Sequence, residues 1–255
     1  MTRRTFVLGA PWALVSAAGC VPAGEVRPPA PLDVRPASGL PETSLPWLSL
    51  RDHFVATVGD HAGEGRPLGP LLVLADATFA PRSRFPLHDH RDMEILSLVL
   101  EGTLTHHGDQ SDGAALPPRG VQLISARDGI EHAEGNDTDH PTRMLQLWFR
   151  PRTLGGAPSY RQRQLDVGGR RNVAGDDAMP LRCDARVEWI DAGAGARVPL
   201  IVDRGRAGYL LAMHGSLRLG GVATLAPGDG AVVGPGATAF TADTAVAALW
   251  IDVAL

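Results

Sequence analysis

The sequence predicts an all-β protein made of two antiparallel β-barrels in one chain, and three observations carry that expectation. Thirty glycines and twenty-one prolines cut the 255 residues into short apolar runs, the punctuation of strands joined by turns. No stretch holds a 3.6-residue apolar period over helical length. The second half repeats the plan of the first, and such paired β units close into barrels that leave few exposed edges.

The N-terminus is expected to be an export signal over residues 1–20. Thr2-Arg3-Arg4-Thr5-Phe6-Val7-Leu8 resembles a twin-arginine signal, and the apolar stretch from Phe6 to Gly19 is short of the ~20 residues that span a bilayer. Ala17-Ala18-Gly19-Cys20 resembles a lipobox, with Cys20 as the lipidated residue and Ala17 where a leucine is usual. This places the chain at the cell envelope or periplasm, with a lipid anchor to a membrane. Residues 21–46 hold seven prolines and few large apolar groups, which predicts an extended linker. With Cys20 modified, Cys183 is the one remaining thiol, so a disulfide within the chain is excluded.

The N-terminal barrel is expected over residues 47–155. Leu71-Leu72-Val73-Leu74-Ala75-Asp76, Glu94 to Leu100, Gly120 to Ser125 and Met144 to Phe149 read as strands, and a Glu101-Gly102 turn follows the second. The C-terminal barrel, residues 156–255, repeats this. Gly208 to Arg218 parallels the strand-Gly-strand around Gly102, Pro227 to Val233 parallels the stretch from Arg119, and Ala248 to Val253 parallels the closing strand.

Two runs carry the chemistry: His88-Asp89-His90-Arg91-Asp92-Met93-Glu94 and Gly129-Ile130-Glu131-His132-Ala133-Glu134. Residues i and i+2 of a strand share a face, so His88 with His90, and His132 with Glu134, can point into one cavity. Three imidazoles and a carboxylate suit a divalent transition metal and leave positions open for substrate or O2. No thiolate ligands are present, which argues against a closed structural zinc site. Glu94 has the same parity as His88 and His90 and is expected to face that cavity, orienting an imidazole or handling a proton. Of the adjacent His106 and His107, one is expected at the cavity mouth and the other in solvent. His53, His61, His140 and His214 read as surface or turn residues, and Gln122, Gln146 and Trp148 as inner-strand residues. Counting back from Gly215 places Ile201 and Asp203 where His88 and His90 stand, and Ala239-Phe240-Thr241 near the place of the second pair. One half is therefore expected to bear the metal and the other to be structural.

The remaining composition removes other classes. A net charge of −4 gives no reason to expect nucleic acid. All twenty-four basic residues are arginine, which excludes Schiff-base lysine chemistry and a P-loop lysine. There is neither a Gly-x-Ser-x-Gly elbow nor a Gly-x-Gly-x-x-Gly after a strand.

The first motif, Leu100-Glu101-Gly102, Gly120-Val121-Gln122, the second motif running on to Gly135-Asn136, and Leu145-Gln146-Leu147-Trp148 together resemble the pirin family of bicupins. The bacterial branch described as quercetin 2,3-dioxygenase-like is the nearest in pattern. The resemblance implies a bicupin of two cupin (jelly-roll) barrels, with Fe(II), or alternatively Mn, Ni, Cu or Zn, on His88, His90, His132 and Glu134. It also implies a phenolic small molecule and O2 as partners, with Glu134 or Glu94 taking the substrate proton. The competing reading is a non-catalytic redox-sensing or protein-binding module; a non-oxidative isomerase is a third. The chain departs from the family pattern at His106-His107-Gly108-Asp109-Gln110-Ser111, at Arg119 before Gly120, and in its export signal.

Overall fold

A computed structural model describes residues 30–55 and 66–255. The expected signal, Cys20, His61 and the linker up to residue 29 lie outside the described residues. The architecture is the expected pair of antiparallel barrels, with a single turn of 3-10 helix at Ala37–Gly39. Among the described residues no helix is long and apolar enough to cross a membrane.

The N-terminal barrel pairs a seven-stranded sheet with a smaller one. The large sheet runs in the order Ser159–Gln164, Gly120–Ser125, Glu94–Glu101, Thr142–Phe149, Leu71–Phe79, Leu48–Val55, Glu42–Leu45. In the smaller sheet Ile130–Asn136 is flanked by Leu104–Gly108 on one side and by Ser83–Arg84 and His88–His90 on the other. The C-terminal barrel repeats this, with a six-stranded sheet holding Arg206–His214 and Val246–Ala254 at its centre and a four-stranded sheet built on Arg197–Val202 and Gly236–Ala242.

The large sheets are buried on both faces, which is why their strands read as continuous apolar runs. Along Glu94–Glu101, Leu96 and Leu98 join a core shared by the two barrels, with Leu145, Leu147, Tyr209, Leu211, Leu249 and Ile251. Ile95 and Val99 point the other way, into the interior of the N-terminal barrel. The duplication extends to the turns. Gly102 (φ +76) and Gly215 (φ +70) hold equivalent left-handed positions where a Cβ would collide with the carbonyls of Pro141 and Ala245.

The C-terminal barrel is filled. Ile190, Leu200, Leu210, Leu217, Phe240 and Trp250 pack into one buried cluster, and Trp250 lies so close to Gly208 that no side chain fits there. Ile201 is 54% exposed, whereas Leu200 and Val202 are buried. The counted equivalence is thus out by one residue, which on a strand reverses the face; the inward pair opposite the metal motif is Leu200 and Val202.

Two boundaries differ from expectation. The segment read as linker is built into the sheets from residue 32. Leu32–Arg35 pairs with Gly230–Val233 of the C-terminal barrel, and Glu42–Leu45 pairs with Leu48–Val55 of the N-terminal one. Both are edge strands, where flanking prolines do not break a ladder. Ser159–Gln164, read as C-terminal, pairs with Gly120–Ser125 in the N-terminal sheet.

Candidate metal centre

The site lies on the inner face of the smaller N-terminal sheet. His88 and His132 are direct cross-strand partners, and so are Glu134 and His106 on the opposite flank of the same strand. The imidazole centroids of His88 and His132 are 4.7 Å apart, those of His88 and His90 4.8 Å, and those of His90 and His132 5.0 Å. Two groups of ligating atoms result, each with all members within 4.8 Å of one another: His88, His90, His132 and, sharing His132, a second of His106, His132, Glu134. The four residues expected to share an ion thus lie on one wall, but Glu134 groups with His132 and His106 rather than with His88 and His90.

The donors are set for an ion. His132 is fully buried, and neither of its ring nitrogens has a hydrogen-bond partner. A buried polar atom left unpaired costs ~1–3 kcal/mol, and two on one ring fit a metal ligand. His88 donates from Nδ1 to the Pro86 carbonyl at 2.8 Å, which leaves Nε2 free to ligate. Burial lowers the His132 pKa to about 2 and that of His90 to about 4, with neighbouring imidazoles adding to both. Neutral imidazole is the form that binds metal.

The Glu134 carboxylate is completely enclosed. It accepts from Ser97 Oγ at 2.9 Å, from Gln122 Nε2, and from Gln146 Nε2 at 2.5 Å. Trp148 Nε1 in turn donates to Gln146 Oε1 at 3.1 Å and Tyr160 Oη to Gln122 Oε1 at 3.2 Å, so both amides present their NH2 to the carboxylate. Burial raises the Glu134 pKa to about 7, against the pull of the Ser97 and Gln146 donors. A carboxylate offers about four lone-pair sites. Three are used, and one on Oε2 remains.

Glu94 is not in this cavity. Its carboxylate accepts from Ser125 Oγ at 2.8 and 2.7 Å and from the Arg182 backbone N–H at 3.4 Å. The expected parity fails because Asp92, at φ +50, breaks the extended run between His90 and Glu94. Ser97 faces Glu134, so Glu94, three residues earlier on the same strand, faces the other barrel.

Other residues sit differently from the sequence expectation. His106 is fully buried beside His132, their centroids 5.3 Å apart, while half-buried His107 pairs with Asp137 at 2.8 Å. His53 is buried in the core and not at the surface. Tyr160 enters from the strand assigned to the other half. A cavity of about 610 Å³ opens beside the centre, with His88 and Gln146 in its wall. Val73, Ala75, Ala77, Phe85, Met144 and Trp148 make it apolar, and Thr43, from the supposed linker, closes one side.

The Pirin family model matches residues 36–149. The chain is 32% identical over 200 residues to a pirin-like protein of Caulobacter vibrioides, covering 75% of this chain and 86% of that one. It is 36% identical over 110 residues to the quercetin 2,3-dioxygenase of Escherichia coli, covering 42% of this chain and 48% of that one. In fold it is similar to the Escherichia coli bacterial pirin YhhW in complex with nickel(II), with a TM-score of 0.80, 24% identity, and coverage of 88% of this chain and 99% of that one. With two cupin barrels, a histidine-rich centre in the first and a filled second, the chain belongs to the pirin family.

Proposed function

We propose that the protein is a metal-dependent dioxygenase acting on a flavonol or a similar enolic phenol with O2. The observation that carries this reading is the juxtaposition of two features. A cluster of three imidazoles, with His132 buried and neither of its ring nitrogens partnered, borders through His88 an apolar cavity of about 610 Å³, within the size range of small-molecule sites. The relative named quercetin 2,3-dioxygenase supports the same chemistry. The ion would be divalent, Fe(II) in this reading, and His88, His90, His132 and Glu134 would hold it. When bound, it would act as a Lewis acid toward an enolic oxygen and as a template for O2.

The protein's own groups supply the rest. Val73, Ala75, Ala77 and Met144 exclude water and offer flat apolar surface to an aromatic ring, and the Trp148 ring edge limits its tilt. Glu134, raised by burial to a pKa of about 7, accepts the hydroxyl proton on its one open Oε2 lone pair, the same lone pair it offers the ion, so ligand and base are alternative states of this carboxylate. Gln122 and Gln146 hold that carboxylate in place beside the histidines, and Gln146 itself reaches the cavity wall. Export to the cell envelope, with Cys20 as lipid anchor, is part of the same proposal.

The test is aerobic turnover of quercetin by metal-loaded protein, with oxygen uptake measured alongside and His132→Ala as control. Equal rates for the two proteins would remove the mechanism. Turnover that persists without O2 would favour an isomerase. No turnover across a panel of phenolics would return the chain to a sensing or binding role.

A further inference from the structure

We propose that His106 is a further ligand of the resident ion, added to His88, His90, His132 and Glu134, with His106, His132 and Glu134 forming the inner seat that His88 and His90 close from the outer side. Three observations carry it. The ligating atoms of His106, His132 and Glu134 lie within 4.8 Å of one another, the same closeness found in the outer triad. His106 Nε2 donates to the Asp109 carbonyl at 3.0 Å, while its Nδ1 is buried without a partner. The tautomer is thereby fixed with the Nδ1 lone pair presented to the site, which is how metal-binding histidines are commonly held. All three residues of the inner seat are buried, whereas His88 and His90 are half-buried.

The seats differ in chemistry. The outer one offers three neutral imidazoles, and the inner one two imidazoles and a carboxylate whose single remaining lone pair is on Oε2. A carboxylate adds charge and hardness, so the inner seat favours harder divalent ions. His132 is common to both; as a neutral imidazole it offers one lone pair and so ligates a single ion, and neither of its ring nitrogens is otherwise engaged. The inference rests on the metal-centre part of the proposed function and not on the substrate.

The test uses the full chain and Ni(II). Calorimetric titration is run on wild type, on the double variant His88→Ala/His90→Ala, and on that double variant with His106→Ala added; folding is checked by circular dichroism. An ion held only by His88, His90, His132 and Glu134 loses half its ligands in the double variant. The inner seat instead predicts continued binding of one nickel per chain, and loss of that binding when His106→Ala is added. No binding by a folded double variant, or binding indifferent to His106, overturns the proposal. Independently, nickel-edge X-ray absorption of wild type and of the single variant His106→Ala reads the number of imidazoles at equal loading. The variant should show one fewer, and its affinity should fall by more than the ~10–100-fold that loss of an outer-shell partner costs. An unchanged imidazole count overturns the assignment even if the double variant fails to fold. Wild type that binds no nickel overturns the metal-centre reading along with this one.

Discussion

His53 Nδ1 lies 2.7 Å from the Tyr209 hydroxyl, and this contact ties the N-terminal barrel to the C-terminal one inside their shared core. Both residues are fully buried, and the other ring nitrogen of His53 has no partner. Tyr209→Phe leaves the imidazole with neither nitrogen paired. The variant is expected to lose ~1–3 kcal/mol of stability, read by urea denaturation at pH 7.

The same histidine sets a pH dependence. Burial lowers its pKa from 6.5 to about 4. Between those values the unfolded chain binds the proton and the folded one does not, so the neutral imidazole's contribution is complete above pH 6.5 and is lost as pH falls toward 4. At ~1.4 kcal/mol per pH unit the loss is on the order of 3 kcal/mol. His53→Gln, which cannot take a charge, should flatten that part of the stability profile relative to wild type.

Glu94 has the opposite sign. Burial between the barrels raises its pKa above 4.5. The folded state therefore holds the proton longer than the unfolded one, and stability declines as pH rises through that interval. Glu94→Gln is expected to melt above wild type at pH 8, with the gap closing at pH 4. A gap that stays constant across pH would place the effect in packing.

Arg119 accounts for one departure from the family pattern. It sits at φ +68, pairs with Asp191 at 2.9 Å, donates to the Asp166 carbonyl at 2.6 Å and stacks 4.3 Å from the Trp189 ring. A strained backbone is thus exchanged for a clamp between the barrels. Removing the side chain should cost on the order of 1–3 kcal/mol. Arg119→Gly should be less harmful than Arg119→Ala by ~1 kcal/mol, because only glycine is free of the left-handed penalty. Chemical denaturation of both variants checks the ranking.

Gln146→Leu removes a donor to the Glu134 carboxylate and leaves the clustered histidines in place. Nickel affinity is expected to fall ~10–100-fold, measured by competition with a chelating dye. An unchanged affinity would mean that Gln146 does not orient Glu134.

The histidine cluster was legible because the i, i+2 rule acts within a strand, and His88 with His90, and His132 with Glu134, obey it. Glu94 was misplaced because the rule does not cross the turn at Asp92. His106 was obscured because its approach to His132 depends on which strands pair and in what register, information carried by distant chain. Tyr160 was missed for the same reason, since its strand joins the sheet of the preceding half. His53 looked like a surface histidine because its partner, Tyr209, stands in the other barrel. The strands at Leu32–Arg35 and Glu42–Leu45 have little apolar content and many nearby prolines, and they exist because a partner edge accepts them.

The pairing of Leu32 with Val233 has a temporal consequence. A ribosome releases Leu32–Arg35 long before its neighbour at Gly230–Val233 has been made, so that strand has no partner edge until most of the chain has been synthesised. It then closes the molecule like a belt passed around from the front. Docking of Leu32–Arg35 cannot precede synthesis of Gly230–Val233, and truncation upstream of Gly230 would leave that strand without its partner edge.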